Sequence, residues 1–440
     1  MFDIKIKNLQ TKFVIAIIIV LLYCSFLYVY KIYIYPSYDY YGFSYHPLSF
    51  EEYAITLFFL LAPLIFLPVH MERPSSFTIW ALYLFSYTST CYILFYVQQL
   101  TFLKKLTLML LLFSALYLIH LARFHRVNFI FTKKINWQKL DMFGILIIIT
   151  GILIILLYLN NFKLKIISLE QIYSIRLEAR EKKIILFQGY IIALANSVLT
   201  LIGIYLFVYR KKFLYLLLLV LINLAIFNFQ ATKTSIAKPI FFILFALIIK
   251  KSKKITWLIC FLLICVLISL VEVMTMHSSF LSEVIVRRIF AIPGLLNVYF
   301  FDFFSHNPKV LLTDSSLNFF IKPVYPLPYT YMIGLEYFNN PERNADTGIW
   351  LAGFAHFGYP GVIIISLLAG FLLGILDNLL RKDFYYFGCL ISIYIGTAWV
   401  EQGFHTSFLT GGVFYVFLMV FIILRSFHLS KEFSSVRLHR

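Results

Sequence analysis

Four ionisable residues near the end of the chain have the types and spacings of acid/base chemistry. The stretch "NADTGIWLAGFAHFGYPG" (344–361) holds Asp346, and His356 ten positions on; "WVEQGFHTSF" (399–408) holds Glu401 and His405. If the latter stretch is helical, Glu401 and His405 fall at i and i+4, where a carboxylate orients an imidazole for proton transfer. Asp346 stands before an apolar span, where it either caps the coming helix or acts as a base. His356 falls inside that span, where an ionisable group is a functional candidate by default and a satisfied core histidine is the other reading. Gly358 and Gly361 need no chemistry, because small residues let helices pack closely.

A second set of residues suits anion binding. In "SLEQIYSIRLEAREKK" (168–183), Ser168 followed by Gln171 is a capping-box start, and Arg176, Arg180 and Lys183 then share one helical face. Two readings stand: an amphipathic helix on anionic headgroups, or a clamp in which planar guanidinium forks hold phosphate oxygens. Lys233 lies in the polar hairpin "NFQATKTSIAKP" (228–239), which is either a plain turn or backbone lining a cavity between two short spans. Arg287 and Arg288, in "SEVIVRRIFAIPG" (282–294), occupy a helix-like run closed by Pro293 and Gly294 and serve as anchor or anion site. "IKPVYPLPY" (321–329) reads as an extended, stacking surface, and His306 in "SHNP" as a turn residue.

The elements that must position these groups are transmembrane helices. Of 440 residues, 61% are hydrophobic and only 13% charged, a balance that lipid accepts and a soluble fold does not. The expected fold is all-α, a polytopic integral membrane bundle forming one domain over 1–440. It has about twelve spans and two large outer loops, 161–184 with its basic helix and 273–350, the latter containing short helices. Expected spans are 13–34, 53–69, 77–98, 105–122, 141–160, 185–209, 213–229, 236–250, 255–272, 351–378, 384–400 and 408–425. A net charge of +18 gathers at span ends, which argues for orientation with both termini inside and against nucleic-acid binding. The five cysteines fall within expected spans without metal or disulfide spacing, and no HExxH, CxxC or D-x-D pattern occurs, so no metal is expected.

About twelve spans, two arginine-bearing outer loops and "NADTGIWLAGFAHFGYPGVI" at a late helix resemble the bacterial O-antigen polymerases, the Wzy-type oligosaccharide repeat-unit polymerases. In related ligases and many polymerases, a His-Asn pair, an apolar residue and G-x-x-G mark that helix entrance. Leu351, Gly358 and Gly361 match, whereas Thr347 and Gly348 occupy the His-Asn positions. The departure leaves Asp346, His356 or His405 as base and weighs against the ligase reading. A flippase or other transporter is the rival of another class; its polar residues would line many spans.

The resemblance implies glycan transfer at the periplasmic face of the inner membrane. Glycan on one undecaprenyl diphosphate would move onto the non-reducing end of another lipid-linked repeat unit, with a chain-length regulator as partner and membrane lipid as surroundings. Arginines would stabilise the departing diphosphate. Replacing Arg176 or Arg180 by Ala is accordingly expected to abolish polymer while leaving single-repeat glycan on lipopolysaccharide. Long polymer in both variants, read from a glycan ladder, would remove these arginines from the mechanism.

Overall fold

A computed structural model describes residues 2–125, 150–152, 154–155, 158, 188–230, 234–252, 254–276, 280–314, 322–380 and 384–421. Arg176, Arg180, Lys183 and Lys233, with the expected 161–184 helix, lie outside the described residues. The regular structure of the described residues is helical; a bridge pairs His70 with Lys254. In chain order the helices are α1 (Asn8–Ser37), α2 (Phe50–Leu61), α3 (76–93), α4 (Phe102–Ala122), α5 (Gly189–Arg210) and α6 (Phe213–Gln230). There follow α7 (Thr234–Lys251), α8 (Ile255–Met276), α9 (Ser282–His306), α10 (Tyr329–Phe338), α11 (Ile349–Leu379), α12 (Tyr385–Glu401) and α13 (Phe404–Leu409).

Six of these helices, α1, α4, α5, α8, α9 and α11, are long and apolar enough to cross a bilayer. The protein is a helical membrane protein. Five of the six coincide with expected spans. The sixth, α9, falls in the 273–350 segment, where a loop with short helices was expected. Two features of its sequence disguise it. Glu283, Arg287 and Arg288 interrupt the apolar run, yet Arg287 is buried against Glu283, Nη2 to Oε1 2.9 Å. Pro293 and Gly294 read as a stop, yet they lie within α9, just after a wide-turned π segment, Ser282–Ala291.

Proline explains much of how the helices of the N-terminal half and α9 and α11 interlock. A proline has no amide hydrogen, so the carbonyl four residues earlier loses its helical donor. In a membrane interior that carbonyl needs a donor from elsewhere in the protein. Pro63 frees the Phe59 carbonyl, which accepts from the Tyr87 hydroxyl of α3 at 2.7 Å. Tyr83 likewise donates to the Leu60 carbonyl at 2.7 Å. Pro293 frees the Ile289 carbonyl, which lies 3.3 Å from Ser89 Oγ, whose hydroxyl it shares with the Phe85 carbonyl at 2.9 Å. Gly294 next to it sits so near α3 that an added Cβ would stand 2.1 Å from the Ser89 carbonyl oxygen.

The third case shapes α11. Gly358 breaks this helix with φ 65° and ψ −147°, a conformation that only glycine adopts readily. Pro360 follows, so the carbonyls of Ala355 and His356 lose the donors that residues 359 and 360 would supply. The segment after α9 replaces them: Val310 N donates to the Ala355 carbonyl at 2.9 Å and Leu311 N to the His356 carbonyl at 3.2 Å. Leu311 and Leu312 take positive φ, 53° and 63°, to present these amides. Gly361 is close to the other half of its own helix, since an added Cβ there would stand 2.1 Å from the Gly353 carbonyl oxygen. The glycines expected to serve helix packing therefore serve a kink.

The chain divides into two compact units. One comprises Met1–Val127, Lys253–Ile375 and Ile395–His405; within it α1 lies along α8, and α3 along α9. The other comprises Asn128–Ser252, Leu376–Tyr394 and Thr406–Arg440; within it α5 packs on α6 and α7, and Tyr209 stacks on Tyr386 with ring centroids 4.8 Å apart. All the candidate site residues described below belong to the first unit.

The close approach of α3 and α9 sets a direct test. Gly294→Ala drives a methyl group into the α3 backbone, and overpacking of this kind costs about 1–3 kcal/mol. Thermal denaturation in detergent should show a lower midpoint for Gly294→Ala. Gly189→Ala, where nothing lies within 4 Å of the added carbon, should leave the midpoint at or above that of the parent. Equal midpoints for the two variants would contradict the packing described.

Candidate active site

The kink in α11 fixes His356. Its ring is buried, 1% exposed, and its Nδ1 accepts a hydrogen bond from the Leu312 amide at 3.2 Å. With Nδ1 accepting, the proton of the neutral imidazole sits on Nε2. That Nε2 is buried with no hydrogen-bond partner among the described residues. The ring lies 5.0 Å, centroid to centroid, from Tyr329 and 4.9 Å from His405, the latter edge-on at 71°.

Tyr329 is the hub of the cluster. It is the first residue of α10, following Pro328, and its backbone amide donates to Asp314 Oδ2 at 2.5 Å. Asp314 thus caps α10 from across the loop, favourably placed at the positive end of the helix dipole. The phenol is buried, and burial together with the charges of Asp346 and Asp314 pushes its pKa up, so Tyr329 remains a hydroxyl donor. An added Cβ at Gly403 would meet Ala352 Cβ at 2.9 Å, the Tyr329 hydroxyl at 3.4 Å and His405 Cε1 at 3.6 Å. Glycine at 403 is what lets these side chains converge.

Asp346 lies in the extended stretch before α11. Its neighbour Ala345 N donates to the Thr330 carbonyl at 3.2 Å, and Gly348 lies against the carbonyls of Trp399 and Val400. The α11 N-cap carbonyl is that of Gly348, not Asp346: Ala352 N bonds Gly348 O at 3.1 Å. The Asp346 carboxylate accepts from Thr347 N at 3.1 Å, a local turn bond that lowers its pKa. Burial outweighs that bond and, with the negative charge of Glu401, pushes the pKa up to about 7.

Thr347 holds this stretch in place. Its Oγ1 donates to Asn297 Oδ1 at 2.9 Å, and Asn297 Nδ2 donates to Thr90 Oγ1 at 2.9 Å and Ser86 Oγ at 3.2 Å. This buried network joins α3, α9 and the entrance of α11, with each amide atom of Asn297 satisfied, as a buried polar group requires. Thr347, found where the resemblance would place histidine, is therefore a strut.

Glu401 and His405 do not share a helical face. α12 ends at Glu401, and α13 begins at Phe404 after the break at Gln402 and Gly403. The expected i, i+4 relation fails because glycine interrupts the helix between them. Glu401 acts electrostatically on Asp346, and His405 stacks against His356; burial pushes the His405 pKa down, so it too is neutral. Arg287 stands elsewhere, on α9, with its guanidinium 4.2 Å from the Tyr38 ring centroid. Arg288 is exposed beside it.

The structure thus brings Asp346, His356, Glu401 and His405 to one place. It adds Tyr329, Asp314, Thr347 and Asn297, none of which stood out as a site residue in the sequence. Only Tyr329 carried a signal, as the last residue of "IKPVYPLPY", where Pro328 presets the first turn of a helix. The arrangement offers a proton acceptor, a phenolic donor and two neutral imidazoles at the ends of helices. Among the described residues no group of three or more His, Cys, Asp or Glu is placed to hold a metal ion. No protein-family model, curated protein or solved structure matches the chain.

The raised pKa of Asp346 has a consequence for stability. The folded protein holds this proton more tightly than the unfolded chain, whose carboxyl titrates near 3.8. The stability so contributed is complete below about pH 4 and is lost as pH rises through about 7. Asp346→Asn should therefore gain stability relative to the parent as pH is raised from about 4 to about 7, read as diverging thermal midpoints. Parallel midpoints over that range would show that Asp346 titrates as an ordinary surface carboxyl.

Proposed function

We propose that the protein is a membrane glycosyltransferase of the O-antigen polymerase kind, acting on lipid-diphosphate-linked repeat units at the periplasmic face of the inner membrane. The proposal takes the twelve-span topology with both termini cytoplasmic, in which α9 belongs to the outer 273–350 segment and does not cross the bilayer. It is supported by the sequence resemblance and, above all, by one structural observation. A carboxylate with its pKa pushed up to about 7, Asp346, lies in a cluster with Tyr329, His356 and His405 at the entrance of a membrane helix.

In this reading the acceptor is a sugar hydroxyl at the non-reducing end of one lipid-linked unit. Its oxygen attacks the anomeric carbon of the glycan on a second carrier. The bond from that carbon to the diphosphate oxygen breaks, and the electron pair leaves with undecaprenyl diphosphate. Asp346 takes the hydroxyl proton. A base with pKa near neutrality suits this role, since it is deprotonated in appreciable fraction and still basic enough to accept. Tyr329 and the Nε2 hydrogen of His356 donate to sugar oxygens, which orients the acceptor.

Diphosphate stabilisation falls to cations, as charge develops on the leaving oxygens. Arg176, Arg180, Lys183 and Lys233 are proposed for this from the sequence. Arg288 is placed as an additional cation on α9, while Arg287, paired to Glu283 and stacked on Tyr38, is proposed to hold Arg288's helix in position. The scheme draws on the energy of the glycosyl diphosphate bond and requires no soluble cofactor. A chain-length regulator protein is the proposed partner.

The test uses purified protein in liposomes, a lipid-diphosphate-linked repeat unit as substrate, and polymer length as readout. Activity per substrate should rise with pH through about 7, as Asp346 loses its proton. Asp346→Asn should lower it by about 10²–10⁴-fold, the usual worth of a general base, without loss of folded protein. An Asp346→Asn enzyme with parent-like activity and the same pH profile would reject Asp346 as the base.

A further inference from the structure

A second site lies at the α11 break, where Gly358 and Tyr359 line it, and nothing in the proposed transfer reaction requires it. A cavity of about 380 Å³ opens where the start of α4, the end of α9 and the kink of α11 meet. That is within the range of small-molecule sites. Its polar lining is basic: Lys104, His306 and Lys309 face it, and no carboxylate is among its lining residues. Its apolar lining is aromatic, with Phe301, Phe354 and Tyr359.

The basic groups are fixed in place. Lys104 Nζ and His306 Nε2 are 2.6 Å apart, and His306 Nδ1 lies 2.9 Å from the Asp302 carbonyl oxygen. The same Nδ1 lies 3.5 Å from Asp302 Oδ1, so the ring is held between Lys104 and the Asp302 residue. Lys309 donates to the Phe304 carbonyl, and its ammonium lies 4.0 Å from the Phe354 ring centroid. An ammonium has three donors, and each lysine spends one on these contacts, so hydrogen bonds remain for an incoming anion. Asp302, the nearby carboxylate, accepts from the Tyr337 hydroxyl through Oδ2 at 2.7 Å and faces His306 through Oδ1, and does not itself line the cavity.

The depth of the cavity identifies the ligand class. α4 is a candidate membrane span, and Lys104 stands near its beginning, against His306 at the end of α9. The end of a membrane span falls at an interface, the depth of lipid phosphates. Beside the cavity on α11, Phe357 and Tyr359 remain 42% and 47% exposed, as side chains in contact with lipid tails would.

We infer that this cavity binds a lipid-borne phosphate, with Lys104 and Lys309 holding the phosphate oxygens and the aromatic wall receiving the first part of the tail. Charge-assisted hydrogen bonds from two ammonium groups supply the affinity, and the rings supply the preference for a lipid over a free anion. The phosphate belongs either to the bilayer's own anionic lipid or to a diphosphate carrier, and the two share this chemistry. The site stands or falls independently of the proposed glycosyl transfer.

Native mass spectrometry of the delipidated full-length protein tests it, with phosphatidylglycerol, farnesyl diphosphate and the uncharged dioleoylglycerol as probes. One or both phosphate-bearing probes should bind and dioleoylglycerol should not. Preference for phosphatidylglycerol assigns the site to bilayer lipid, and preference for farnesyl diphosphate assigns it to a diphosphate carrier. Lys104→Gln with Lys309→Gln should weaken binding about tenfold. Each single variant should lose part of this, so the result does not depend on the double variant folding. Lys322→Gln, an exposed lysine that does not line the cavity, should bind as the parent does. Retention of dioleoylglycerol, unchanged binding in the cavity variants, or equal loss in Lys322→Gln would overturn the inference.

Discussion

A membrane interior gives a freed backbone carbonyl no water to bond, and Pro63, Pro293 and Pro360 each free one. Each is answered by a donor from another element: Phe59 by Tyr87, Ile289 by Ser89, His356 by Leu311. Unsatisfied groups at such depth cost several kcal/mol each, roughly the whole worth of a good tertiary contact. The prolines thus act as joints, since every break in a helix commits it to a particular neighbour. α2 is bound to α3 in this way, and α3 to α9.

The joint at Gly358 and Pro360 has the widest consequences. Tying residues 310–312 to the broken turn of α11 puts the Leu312 amide on His356 Nδ1, which sets the imidazole's tautomer and direction. The same tie carries Asp314 to the start of α10, and with it Tyr329 against His356. At the break itself it brings Lys309 against Gly358, both of them lining the basic cavity. One conformational irregularity in one helix therefore positions both the acid/base cluster and the anion site. A second, smaller network, Asn297 with Thr347, Thr90 and Ser86, supports Asp346 from beneath.

How much of this the sequence disclosed follows from the range of the interactions. Apolar runs are local, so the helical membrane character and most of the long helices were legible. Asp346, His356, Glu401 and His405 stood out because ionisable groups beside apolar spans are few. Their mutual geometry was not legible, because the helix that would have paired Glu401 with His405 is broken at Gly403. α9 was hidden by its own charges: nothing local shows that Arg287 pairs with Glu283 and stacks on Tyr38. Asn297 and Asp314 gave no signal at all, since their partners lie 50 and 15 residues away along the chain. In the sequence Gly358 and Gly361 carry only a packing signal, and the φ of Gly358 shows the kink.

The functional account rests on the claim that this cluster joins lipid-linked repeat units outside the cytoplasm. The lipopolysaccharide glycan ladder of a strain lacking the protein tests that claim most directly. The account predicts that polymer disappears while lipopolysaccharide carrying a single repeat unit persists. Loss of all attached glycan would contradict it, pointing to ligation or, if repeat units then accumulate on the cytoplasmic leaflet, to flipping.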